Sequence, residues 1–291
     1  MNITLINAKT DLGVTVDGAN LGPEIISDYF KNHEKIQNII NIEKNNIIKS
    51  KDSNDLAKNL NEINKFNNQL YKSVLAIKNN NNFPIILGGD HSLAIGSALA
   101  SINQEKSLGI IWIDAHLDYN TFETTITGNI HGLPLAAING LNKKLSLFHN
   151  QNYYNPKNTV VVGYRSQEEN KDTELNNIKK MGVTVFTTED IKKIGIKNVI
   201  KQAFQIATSN TRGVHISYDL DVIDPIICPG VSIPEVNGID EKEAFLILNE
   251  ILTYKDKLKS FDLVEFNPIN DQNKKTETIA KKLLDTIINA I

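Results

Sequence analysis

Eight short apolar runs, separated by longer segments with apolar residues at helical spacing, leave few architectures open to this chain. The runs are "NITLIN" (2–7), "NIINI" (38–42), "PIILG" (84–88), "GIIWID" (109–114), "TVVVGY" (159–164), "VTVFTT" (183–188), "VHISYD" (214–219) and "FDLVEFN" (261–267). Runs of this length, rich in Ile, Val, Phe and Tyr, read as strands, and residues 55–78, 196–208, 240–254 and 276–290 carry the apolar stripes of helices between them. Alternation of this kind predicts βα units and a parallel sheet, because each helix carries the chain back across the sheet before the next strand starts. Pro23 in "LGPEII" suits a first helical turn, so a further helix is expected after residue 22. The polar stretch 44–54 and "NNNN" at 79–82 read as surface loops. No fixed-period repeat or long linker divides the chain, and one domain over residues 1–291 is the expectation.

Charge and cysteine usage then narrow the function. A formal net charge of -3 gives no broad basic field, which argues against nucleic acid or an anionic membrane surface as the main partner and leaves small molecules. Cys228 is the only cysteine, so no internal disulfide forms. No apolar run approaches the roughly 20 residues needed to cross a bilayer. Residues 1–25 lack a basic region followed by an apolar stretch and a cleavage site, so a soluble cytoplasmic protein is expected.

Chemistry concentrates at strand ends. The stretch "IIWIDAHLDYN" (110–120) ends an apolar run in Asp114, His116 and Asp118, groups that lose several kcal/mol of hydration if buried unpaired. Extended backbone through the strand end would point all three the same way. "VHISYDLDVIDP" repeats the pattern with Asp219 and Asp221 before Pro225, and "PIILGGDHS" closes with two glycines and His91, letting the backbone turn sharply over the sheet edge. Four carboxylates and two imidazoles exceed the needs of one ion and suit two divalent ions with shared carboxylates. The donor set, free of thiolates, suits manganese, with iron, cobalt, nickel or zinc also compatible. Two such ions would hold a water and lower its pKa, which points to hydrolysis.

Other polar residues fall around this set. Asp90 and Asp224 read as carboxylates that cap turns. His131, at the end of the long polar loop 117–131, is placed to carry a proton, and Glu265, within an apolar strand, demands a cation or a metal. His33, His149 and His215 stand outside the clusters and receive no role.

Together these motifs resemble the ureohydrolase family, and within it the arginases. The matching pieces are "LGGDHS" (87–92), "DAHLDYNT" (114–121), "GNIHGLP" (128–134), "SYDLDVIDP" (217–225) and "VEFNP" (264–268), in family order, with "DGANLGP" near the start. The resemblance implies a three-layer α/β/α domain with a central eight-stranded parallel sheet and two manganese ions at the strand ends. It assigns one ion to His91 and Asp118 and the other to His116 and Asp221, with Asp114 and Asp219 bridging. A hydroxide held by both ions would attack the guanidinium carbon of L-arginine, releasing L-ornithine and urea. Asp118 would help move its proton, His131 would shuttle a proton, and Glu265 would hold the guanidinium group. Asn120 and Thr127 would contact the substrate α-carboxylate, and Glu168 its α-amino group. A homo-oligomer, trimer or hexamer, is implied too.

One departure bears on the substrate. "GVSIP" carries Ser232 and Ile233 where arginases usually have glycine and threonine, a change shared in part with formimidoylglutamate hydrolases. Sibling hydrolases acting on agmatine, guanidinobutyrate or formimidoylglutamate therefore stand beside arginase, as does a metal-binding homologue without turnover. His131 follows Asp118 by 13 positions, the arginase spacing. A binuclear phosphoesterase fits less well, since no Lys or Arg lies inside the acidic motifs to neutralise phosphate.

Overall fold

All eight predicted strands form, and they pair in one sheet. The computed structural model describes residues 2–44, 47–50, 52, 54–145, 152–167 and 169–291. Its strands are β1 (Ile3–Lys9), β2 (Ile36–Glu43), β3 (Phe83–Gly88), β4 (Gly109–Ile113), β5 (Thr159–Tyr164), β6 (Thr184–Thr187), β7 (Val214–Asp219) and β8 (Leu258–Val264). Every pairing is parallel, in the order β2-β1-β3-β8-β7-β4-β5-β6. β3, β5 and β7 are buried along their whole length, as strands covered on both faces must be, whereas the edge strand β2 exposes Gln37, Asn38 and Glu43.

Helices cover both faces. These are α1 (Gly22–Ser27), α2 (Leu60–Asn79), α3 (Ala94–Glu105), α4 (Pro134–Ile138), α5 (Lys171–Met181), α6 (Thr188–Ile194), α7 (Ile196–Ala207), α8 (Glu241–Leu252) and α9 (Lys275–Ala290). Helices α1 and α6 to α9 pack their apolar stripes on one face through residues such as Ile26, Val199, Ile247 and Leu284. Helices α2 to α5 cover the other through Leu70, Leu99, Leu135 and Ile178. Each such side chain, fully buried, contributes roughly 1.5–3 kcal/mol relative to exposure. The α/β/α layering and the eight parallel strands agree with the sequence reading.

Helix limits depart from that reading where local polar groups intervene. The stripe at 55–78 begins its helix only at Leu60, because Asp55 Oδ1 accepts from Ala57 N and Asn59 sits in the left-handed region at φ 57°. Helix α8 starts after Asp240, whose side chain accepts from Glu243 N while Glu243 Oε2 accepts from Asp240 N.

Strand order sets which strand ends meet. β3 and β4 are successive strands, yet β8 and β7 insert between them, so the ends of β3, β8, β7 and β4 lie side by side. Crevices outside the carboxyl ends of strands at such a reversal are where open α/β sheets bind ligands.

Candidate metal centre

Every residue of the acidic motifs stands at or just past a strand end. β3 stops at Gly88, and Asp90 caps the turn His91–Leu93, accepting from Ser92 N at 3.0 Å and Gly13 N at 3.1 Å. The two glycines do not serve a left-handed turn; neither has a positive φ. They serve close approach: a Cβ on Gly89 would lie 1.9 Å from Thr10 O. Glu265 N donates to Gly89 O at 2.9 Å, joining the exits of β3 and β8.

The motif "DAHLD" does not stay extended, a correction to the expected alternation. β4 ends at Ile113, and Asp114 Oδ1 accepts from His116 N at 2.6 Å, folding the chain into a tight turn. Asp118 then sits at φ 50°, its carbonyl accepting from Leu135 N and Ala136 N at the start of α4. β7 ends at Asp219, before Pro225 is reached, and Asp219 Oδ1 accepts from Asp221 N at 2.7 Å. In both D-x-H and D-x-D the first carboxylate therefore turns the backbone, and that turn, rather than pleat alternation, brings the next side chain alongside it.

Two overlapping groups result. His91, Asp114 and Asp219 form one, and Asp114, His116 and Asp221 the other; within each, one donor atom per residue lies within 4.8 Å of the rest. His91 Nδ1 stands 3.0 Å from Asp114 Oδ2, 3.0 Å from Asp219 Oδ2 and 3.2 Å from Asp118 Oδ2. His116 Nδ1 is 2.9 Å from Asp221 Oδ2 and 3.5 Å from Asp114 Oδ1. Asp114 is common to both groups.

Electrostatics test whether a metal fits. Burial and the charge of Asp114 push Asp118 up to about 7, and burial with the charges of Asp221 and Asp114 raises Asp219. Asp114 alone is held low, its burial overridden by hydrogen bonds from His116 and His91. Four neighbouring carboxylates thus resist joint ionisation unless positive charge is placed among them. His91 Nδ1 is buried among three carboxylate oxygens and makes no well-directed hydrogen bond among the described residues. Carboxylate oxygens gathered around an imidazole nitrogen make a donor set that fits a divalent ion.

Glu265 and His131 stand beside this cluster. Glu265 lies one residue past β8, not within it, and adopts φ 68°. Left-handed backbone at a non-glycine residue costs on the order of 1–3 kcal/mol and is characteristically kept at functional positions. Its Oε1 accepts from His91 N at 2.8 Å and lies 3.3 Å from His131 Nδ1, whereas Oε2 is buried without a partner among the described residues. His131 N is bonded to Gly13 O at 3.0 Å. Burial pulls the His131 imidazole down, but the hydrogen bond and charge of Glu265 override it and raise it to about 9.

The remaining predicted residues separate. Asn120 is buried, and its Oδ1 accepts from Asn170 Nδ2 at 2.7 Å and Thr124 Oγ1 at 3.0 Å, which braces the loop. Thr127 is exposed, and its Oγ1 accepts from Asn129 N. Glu168 and His149 lie outside the described residues. Asp224 caps a turn, accepting from Ile226 N and Gly238 N at 3.0 Å. His215 is fully buried between Ser260 Oγ at 2.7 Å and Asp262 Oδ2 at 3.1 Å.

Sequence reasoning missed Trp112, Ser217, Arg165 and Glu235. Trp112 Nε1 donates to Asp114 Oδ2 at 2.8 Å, and Ser217 Oγ is 2.8 Å from His91 Nε2. A signal existed for both: each lies two residues before a motif Asp on the same strand face. Arg165 Nη2 donates to Asp221 O at 2.6 Å and Glu235 O at 2.9 Å, a contact no local pattern announces.

Comparison with known proteins adds an independent line. A model described as the Arginase family matches residues 1–289. The chain is 36% identical to an arginase of Staphylococcus aureus (strain MSSA476) over 98% of its own length and 96% of the relative's. It is also 36% identical to an arginase of Bacillus subtilis (strain 168), covering 98% of this chain and 97% of that one. A crystal structure of Entamoeba histolytica arginase in complex with L-ornithine superposes with a TM-score of 0.88 at 29% identity, over 99% of this chain and 97% of that one.

Proposed function

This chain belongs to the arginase family and is a hydrolase of arginase type, and we propose on that premise that it cleaves the guanidinium group of L-arginine to L-ornithine and urea. The observation that carries the substrate reading is Glu265. Among the described residues its Oε2 has no partner although it is buried next to the acidic cluster, and an unsatisfied buried carboxylate oxygen is recovered best by a cationic donor such as guanidinium.

The six motif residues would hold two divalent ions, manganese by the oxygen-rich donor set. On the family resemblance His91 and Asp118 would serve one, His116 and Asp221 the other, and Asp114 and Asp219 would be shared. When bound, the ions supply the Lewis acidity that ionises water near neutral pH. The chain's own residues do the rest. Glu265 holds the guanidinium group with its carbon toward the cluster. Asp118 accepts the hydrogen bond of the attacking water and helps move its proton. His131, kept protonated by Glu265, donates to the departing amine, after which urea and L-ornithine separate. Asn120 and Thr127 would read the α-carboxylate and Glu168 the α-amino group. The L-ornithine bound by the Entamoeba arginase supports a substrate bearing both α-groups.

Among the described residues no helix is long and apolar enough to cross a membrane. The single buried thiol, Cys228, suits a reducing compartment, so the cytoplasm is proposed, with a homo-oligomer on the family resemblance.

The test is urea release from L-arginine, agmatine and guanidinobutyrate, and ammonia release from formimidoylglutamate, by manganese-loaded protein. Selective urea release from L-arginine is expected. Preference for a sibling substrate would move the function there and give weight to Ser232, whose hydroxyl accepts from Asn267, and to half-buried Ile233. Silence across the panel would leave a metal-binding homologue.

A further inference from the structure

His116 has two ring nitrogens with different surroundings. Nδ1 faces Asp221 and Asp114 at 2.9 and 3.5 Å; Nε2 points away, is buried, and makes no hydrogen bond among the described residues. The carboxylate of Glu235 faces that orphan, its Oε1 3.6 Å away. Glu235 is itself buried at 8% exposure. Gln167 N donates to the same Oε1 at 3.3 Å, and Arg165 clamps the Glu235 carbonyl to that of Asp221, so the carboxylate is held at the back of the imidazole.

We infer that Glu235 is a positioning residue for the metal centre: its carboxylate accepts the Nε2 hydrogen of His116 and so fixes the tautomer whose bare Nδ1 is presented to an ion. A small turn of the glutamate side chain closes the gap to an ordinary bond of about 2.9 Å. Imidazole ligands commonly donate their other N–H to a carboxylate, which fixes the ring and raises its basicity. Arg165 couples the device to the Asp221 backbone, so two ligands of one ion share a single support.

The inference rests on the reading of His116 as a metal ligand, and the experiment separates the two. Manganese binding to metal-free protein would be measured by calorimetry and chelator competition for wild type, Glu235→Ala, Glu235→Gln and His116→Ala, with melting curves to establish folding. Glu235→Ala is expected to weaken one of two ions by about 10- to 100-fold and leave the other unchanged. Glu235→Gln, whose carbonyl oxygen still accepts, should recover most of that loss. Wild-type affinity in Glu235→Ala, equal weakening of both ions, or a Gln variant no better than Ala would each overturn the inference. Unaltered binding in His116→Ala would instead overturn the ligand reading beneath it.

Discussion

Trp112 lies flat against His91, the ring centroids 3.9 Å apart and the planes 7° from parallel, while its indole nitrogen donates to Asp114. One side chain from inside β4 thereby orients donor groups at the ends of two different strands. Trp112 is the chain's only tryptophan and is fully buried.

Replacing Trp112 by Phe keeps most of the stacking area and removes the donor to Asp114. The loss should cost about 1–3 kcal/mol of stability, because a buried carboxylate oxygen loses its partner. Denaturant unfolding of the manganese-loaded variant measures it, and an unchanged midpoint would show that the indole bond contributes nothing.

His116→Ala should remove one ion and nearly abolish urea release, whereas His131→Ala should keep both ions and slow turnover by roughly 100-fold or more, the usual yield of a positioned proton donor. Metal content by elemental analysis beside kcat distinguishes them. Full activity with full metal in both variants would defeat the proposed roles.

Glu265→Gln keeps the shape and removes the charge that faces a cationic substrate. Loss of one partner of a buried charge pair typically costs 2–5 kcal/mol, so kcat/KM for L-arginine should fall by roughly 30-fold or more while metal content holds. A variant with wild-type kcat/KM would rule out Glu265 as the guanidinium anchor.

The His131–Glu265 contact carries a pH signature. The His131 imidazole is raised from its ordinary 6.5 to about 9 in the folded chain. A group raised in the folded state adds stability that is fully present below 6.5 and fades as pH climbs through about 9. In metal-free protein, the melting-temperature gap between wild type and His131→Asn should therefore shrink between those limits. A gap independent of pH would contradict the pairing.

Gly89→Ala should destabilise the fold by about 1–3 kcal/mol, since its Cβ would press on the Thr10 carbonyl that accepts from Asp90 N. Thermal melts decide it, and a neutral result would mean that the exits of β1 and β3 can separate freely.

The acidic motifs are legible because each is local. Asp114 with His116, and Asp219 with Asp221, are joined by turns two residues long, and the apolar run before each marks it as a strand end. The turn itself is not legible as a turn, since spacing by two fits both a pleat and a capped turn. Glu265 stands out by its chemistry, an acid amid apolar neighbours, but its left-handed backbone does not, because Gly89 across the sheet holds its amide there. Glu235 lies after "GVSIP" with nothing beside it in the chain to mark a role.

By itself the sequence determined the parts: eight apolar strands, helices with single apolar stripes, and carboxylates and imidazoles at the strand ends, because periodicity and turn chemistry act over a few residues. Tertiary structure alone decided their neighbours. His91 N reaches Glu265 across 174 positions, and His116 meets Glu235, only because β8 and β7 enter the sheet between β3 and β4. Parallel strands covered on both faces carry near-equivalent apolar patterns, so no local signal ranks them; their order is set by the packing of the crossover helices on the two faces.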